Sequence, residues 1–135
     1  MKDEVIKHLE FIQNIITRMN TNSFQIKGLS VSIVSILLTF YVSEKNTEFI
    51  FISIFPLILF WFLDTYYLTQ ERKLRELYNQ LIKGNNAELK PFEIRLDLFK
   101  KGRFSFWSVL FSKTVWVLYL PTLLLMLIIY FYSKK

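Results

Sequence analysis

The 135-residue chain has no cysteine, which excludes disulfides, thiol catalysis and cysteine-based zinc sites. Histidine occurs once, at His8, with no second histidine to share a metal. It is read as a surface residue on the exposed side of the first helix, not as a ligand. With only three glycines there is no glycine-rich phosphate loop of the GxxxxGK kind. No Ser-His-acid arrangement and no membrane-embedded acid pair is visible either. The sequence therefore points away from an enzyme and calls for no cofactor or metal. Acids are the minority charge, 11 against 17 bases, for a net charge of +6. In a chain this apolar, that excess speaks to membrane topology before it speaks to nucleic acid, and no duplex DNA readout is expected.

What is present is apolar: 53% of the residues are hydrophobic and 18% aromatic. Three hydrophobic runs are long enough to cross a bilayer, which needs roughly 20 residues at about 1.5 Å each. The expected fold is all-α, a single membrane domain with spans over 23–42, 49–68 and 114–132. The opening Lys2-Asp3-Glu4 does not read as a signal peptide, because the first long apolar run starts only near Gly28. Residues 1–22 instead form an amphipathic helix, with Val5, Leu9, Ile12, Ile16 and Met19 at alternating spacings of four and three. Its face suits packing on its own protein or an oligomer seam.

Glu44 to Glu48 makes a tight hairpin between the first two spans. Pro56 should kink the second span. Beyond it, Leu74, Leu77 and Leu81 keep helical spacing, and Arg72 with Glu76 and Glu71 with Arg75 are i,i+4 pairs. The second helix is thus expected to leave the membrane and stop at Gly84-Asn85-Asn86. Within 69–112 the remaining chain is extended and interfacial. Phe92, Ile94, Leu96 and Leu98 alternate with Glu93, Arg95 and Asp97, so 91–99 is expected to be a short strand or extended segment. Phe104, Phe106, Trp107 and Phe111 then mark the headgroup belt.

The bases set the orientation. Lys2, Lys7, Arg18 and Lys27 lie before or just inside the first span, and ten more lie between Arg72 and Lys113. The opposite side holds only Lys45, Lys134 and Lys135. The N-terminus and the 71–113 segment are therefore expected in the cytoplasm and the C-terminus outside.

Three features could carry function. Gly28, Ser32, Ser35 and Thr39 recur at helical spacing along the first span, and Asn14, Arg18, Thr21 and Gln25 extend the same stripe. Small or hydroxylated residues in such a line either let helices pack closely or, repeated around an axis, line a water-filled path. Asn22 is grouped with Arg18 and Lys27 at the mouth of that path. Lys27 and Asp64 are the second feature: each sits about one turn inside the cytoplasmic boundary, placed to staple two spans or to gate a pore. The third is the basic 71–113 segment, which suits anionic lipid or, through Arg72 and Arg75, an anionic ligand such as a nucleotide.

Several stretches resemble a widespread family of small bacterial membrane proteins. They are Arg18-Met19-Asn20-Thr21-Asn22-Ser23-Phe24-Gln25-Ile26-Lys27-Gly28, Phe60-Trp61-Phe62-Leu63-Asp64-Thr65-Tyr66-Tyr67-Leu68 with Glu71-Arg72, and Leu110-Phe111-Ser112 with Thr114-Val115 and Tyr119-Leu120-Pro121. Leu29 departs from that family, many of whose members carry Trp there. The family is similar in size and layout to the transmembrane effectors of bacterial anti-phage systems, which a paired nucleotide-producing enzyme controls. The resemblance implies an inner-membrane homo-oligomer that conducts ions when a nucleotide or oligonucleotide signal opens it. It carries Asn22, Ser23, Lys27 and Asp64 over as site residues. The competing reading is a non-conducting anchor or adaptor whose cytoplasmic helices recruit a partner.

Overall fold

The computed structural model describes residues 2–84 and 92–135. Two long antiparallel helices dominate it, α1 (Lys2–Glu44) and α2 (Glu48–Ile82), followed by the short α3 (Phe106–Leu110) and by α4 (Lys113–Ser133). α1 has 43 residues and is about 65 Å long, more than twice the hydrocarbon thickness. The amphipathic segment and the first span are thus one unbroken helix, since no stop signal separates Met19 from Phe24. α1, α2 and α4 are each long and apolar enough to cross a membrane. Their outer surfaces carry exposed Phe51, Phe55, Ile128 and Phe131, side chains that a lipid environment accommodates and water does not.

α1 turns into α2 through Lys45, whose backbone is left-handed (φ 53°) and whose N–H bonds the Tyr41 carbonyl at 2.8 Å. The Asn46 side-chain oxygen accepts from the Glu48 N–H at 3.0 Å and helps start α2. α2 runs through Pro56 without ending and leaves its apolar stretch to reach Ile82. Gly84 follows at φ 69°, a conformation that glycine takes without the Cβ clash other residues meet. Asn85 and Asn86, the rest of the expected stop, lie outside the described residues.

α2 is the centre of the molecule, contacting α1, α3, α4 and the turns before α3. Two apolar clusters hold it. One, in the apolar stretch, joins Val34 of α1, Ile50, Leu57 and Leu68 of α2, Val109 of α3, and Val115, Tyr119 and Met126 of α4. The other, at the polar end, joins Ile12 and Ile16 to Leu74, Leu77 and Phe99.

Among the described residues there is no strand, which corrects the expected extended segment near 91–99. Residue 91 lies outside the described residues. Leu96–Leu98 form a 3-10 turn, as do Gly102–Phe104. The alternation breaks because Phe99, not Leu98, is the buried side chain, while Phe92 and Leu98 are exposed. A lone extended segment has no ladder to satisfy its backbone, so folding apolar side chains onto α1 and α2 wins over strand geometry. Ile94, Leu96 and Phe104 add to that cover.

His8 is a second correction. It is buried, with its ring 5.8 Å from that of Phe92, and its Nε2 has no hydrogen-bond partner. His8, Ile12 and Ile16 share a four-residue spacing that puts them on one ridge facing α2 and the returning chain.

Candidate functional site

The inner face of α1 closes on α2 through Ser23, Ile26, Ser30 and Val34, all buried. At roughly 100° per residue, these four fall on the side opposite the polar stripe. Asn14, Arg18, Thr21, Gln25, Gly28, Ser32, Ser35 and Thr39 are accordingly all exposed. The small residues that bring α1 close to its neighbour are therefore Ser23, which reaches Asp64 of α2, and Ser30, and not the stripe. Packing of the stripe against the chain's own spans is thereby excluded. Asn22 is only half-buried and sits on the flank between the two faces, off the line of the stripe.

Three of the stripe hydroxyls are bonded to their own helix. Ser32 Oγ donates to the Gly28 carbonyl at 2.9 Å, Ser35 Oγ to Val31 at 2.7 Å and Thr39 Oγ1 to Ser35 at 2.9 Å. This back-bonding uses each O–H while leaving oxygen lone pairs turned outward. On this face Ser32, Ser35 and Thr39 are thus acceptors whose own O–H donors are already satisfied. Arg18 carries the one charge on it between Asn14 and Thr39.

One turn inside the end of the apolar stretch, the inner face holds a polar knot. Asp64, fully buried, accepts a short hydrogen bond from Ser23 Oγ. Lys27 Nζ lies 2.6 Å from Asp64 Oδ2 and donates to Ser23 Oγ at 2.8 Å. The Lys27–Asp64 contact is an ion pair by distance, although its angles are not those of a hydrogen bond. Lys27 keeps 23% of its side chain exposed, as expected of a long cation reaching toward the polar end. α4 contributes Tyr119, fully buried and stacked on Trp61 at 6.2 Å. Its hydroxyl lies within electrostatic reach of Asp64 but makes no aligned hydrogen bond. Trp61 Nε1 donates to the Leu110 carbonyl at 3.2 Å, tying α3 to the same level. Three spans thus meet around one carboxylate. The chemistry on offer is electrostatic: a buried charge held by one cation and one hydroxyl.

Beyond Leu68, Thr69 donates to the Thr65 carbonyl at 2.7 Å, and the charged part of α2 begins. Arg75 pairs with Glu71 at 2.8 Å, and Arg72 reaches across to the Arg103 carbonyl at 3.4 Å. Arg103 in turn pairs with Glu76 at 3.3 Å. The fold thereby adds Arg103 to the sequence-predicted pair Arg72 and Arg75. Nothing in local spacing could have named it, because it lies far along the chain and returns only through the turn at Gly102. Tyr119 was equally hidden, as one aromatic among many in an apolar run. Among the described residues, no cluster of His, Asp and Glu could hold a metal ion. Comparison with protein-family models, curated proteins and solved structures finds no match to this chain.

Proposed function

We propose that the chain is a homo-oligomeric membrane protein in which copies of the outer face of α1 line a shared ion path. The carrying observation is that this polar face is unused within the protomer. From Asn14 to Thr39 it extends about 37 Å, of which the stretch from Gln25 to Thr39, about 21 Å, lies within the 23–42 span. Three spans do not enclose a channel, so the path needs several copies, most simply under cyclic symmetry. Outward lone pairs on Ser32, Ser35 and Thr39 would meet permeating ions or their water. Arg18, with Asn22 on the flank, would stand at the cytoplasmic mouth, and the Lys27–Asp64 pair would fix α1 against α2 behind it. The positive-inside count supports a cytoplasmic N-terminus and an outside C-terminus. The resemblance to nucleotide-controlled defence effectors supplies the setting: opening would depolarise a bacterial inner membrane on a phage-induced signal.

The test is membrane potential in bacteria expressing wild type or Ser32→Leu/Ser35→Leu at matched membrane levels. Depolarisation by wild type alone supports the path and its lining. Depolarisation by both keeps conduction and rejects the stripe. If neither depolarises, with or without inducing phage, conduction is abandoned.

A non-conducting adaptor is the second reading. It is favoured by a cavity of about 500 Å³ at the polar end, lined by Ile6, Leu9, Gln13 and Asn14 of α1 and Tyr78 of α2, where a partner could seat. Stripe substitutions would leave such a partner bound.

A further inference from the structure

Arg72, Arg75 and Arg103 line one concavity of about 390 Å³ at the start of the charged part of α2. Two arginines come from consecutive turns of one helix face. The third is delivered by the 3-10 turn Gly102–Phe104, where Gly102 takes φ 67°. The Arg72 guanidinium holds that turn in place through the Arg103 carbonyl. Two carboxylates face the cluster, Glu71 on Arg75 and Glu76 on Arg103, so three guanidinium forks meet two acids and one positive charge is left over. Arg72 is paired with no carboxylate among the described residues. Arg75 and Arg103 keep most of their side chains exposed, so both remain available from outside.

The depth of the cluster is fixed by its neighbours. Arg72 lies one turn beyond Leu68, where the apolar run of α2 ends. Phe106 stacks on Phe62 of α2 at 6.0 Å, and Trp107 beside it is exposed. Phe62 precedes Arg72 by ten residues of α2, about 15 Å, so this aromatic group stands on the apolar side of the cluster. The three forks open just beyond the apolar run, on its polar side.

We propose that Arg72, Arg75 and Arg103 form a binding site for a phosphate-bearing anion. Guanidinium is planar, always charged and matched to pairs of phosphate oxygens. Glu71 and Glu76 each occupy one fork, whereas a phosphate offers several oxygens to all three at once. The site stands on α2 and its covering turn, so it is independent of whether the outer face of α1 conducts. The phosphate can come from an anionic phospholipid headgroup or from a soluble phosphate ester, and the two sources are separable.

The experiment uses the full chain, purified in neutral detergent and delipidated, with bound anion counted by native mass spectrometry. Three probes are compared: phosphatidylglycerol, zwitterionic phosphatidylcholine and inorganic pyrophosphate. Wild type should prefer phosphatidylglycerol over phosphatidylcholine, and Arg72→Gln/Arg103→Gln should weaken that binding about tenfold or more. Lys134→Gln/Lys135→Gln, the same charge change at the far end, should leave it unchanged. Arginine-dependent binding of pyrophosphate without a preference for phosphatidylglycerol supports the site and assigns the soluble source. Equal binding of both anions by wild type and the double arginine variant overturns the proposal. If the double variant does not reach the membrane, Glu76→Gln decides, since it releases Arg103 without removing any fork. Tighter anion binding then supports the site, and unchanged binding rejects it.

Discussion

Along α1, Ser23, Ile26, Ser30 and Val34 are closed against the rest of the protein, while Gly28, Ser32, Ser35 and Thr39, interleaved with them, are open. Both sets contain serines, but the serines do different things. Ser23 reaches across to a buried carboxylate on another helix, and Ser32 bonds only its own backbone. A hydroxyl spent on a neighbouring helix fixes that helix. A hydroxyl spent on its own carbonyl ties down no neighbouring helix. The lesson is that residue type alone does not separate a closed face from an open one; burial does, since Ser53 and Thr69 bond their own helix and are buried nevertheless.

The largest expected break comes from the closed face. Asp64→Ala strands Lys27 beside apolar neighbours and should destabilise the protein by about 2–4 kcal/mol, the partial exposure of Lys27 keeping it below a fully enclosed pair. Thermal unfolding in detergent reads this, and Lys27→Met combined with Asp64→Leu should recover part of the loss. Next, Ser30→Leu overfills the α1–α2 contact and should lose about 1–3 kcal/mol. Ser32→Leu, two residues away, should stay within about 0.5 kcal/mol. A similar loss for both would erase the distinction between the faces.

Smaller effects sharpen the picture. Arg18→Gln removes the one charge on the open face between Asn14 and Thr39. In reconstituted bilayers it should raise cation relative to anion permeability several-fold with little change in stability. Tyr119→Phe should shift unfolding by less than about 1 kcal/mol, because the hydroxyl it deletes has no aligned partner. Smallest is the surface turn, where a hydrogen bond from Arg95 holds the Asp97 carboxyl below its ordinary range. With the folded value depressed, the pairing is intact above the usual carboxylate range and is lost as pH falls through the depressed value. Arg95→Gln should move the Asp97 titration upward by NMR.

The three spans were legible because each exceeds the length at which an apolar run can be anything but a membrane helix or a large core. The Lys27–Asp64 contact was legible for a similar reason, since two opposite charges at one depth on antiparallel helices have few other partners. The stripe was readable as a pattern, but its destination was not, because helical spacing gives a face without saying which way it turns. Residues 92–99 misled because a handful of alternating side chains satisfies period two by chance, and only the docking of Phe99 reveals the turn. His8 misled because the face was drawn through Leu9, one residue further on, when the buried ridge passes through His8, Ile12 and Ile16 and leaves Leu9 half-buried. Arg103 and Tyr119 enter their clusters through long-range return of the chain, which no local pattern encodes.

α1 and α2 cross from the apolar stretch into the polar end as unbroken helices, with no loop at the boundary to absorb movement. A helix of that length behaves as a stiff lever. Anything that tilts or turns α2 at Arg72 must carry Asp64, two turns away on the same rod, and through Ser23 and Lys27 it must drag α1 as well. Whatever binds at the polar end therefore has a mechanical line into the apolar stretch, and the clutch in that line is a single carboxylate.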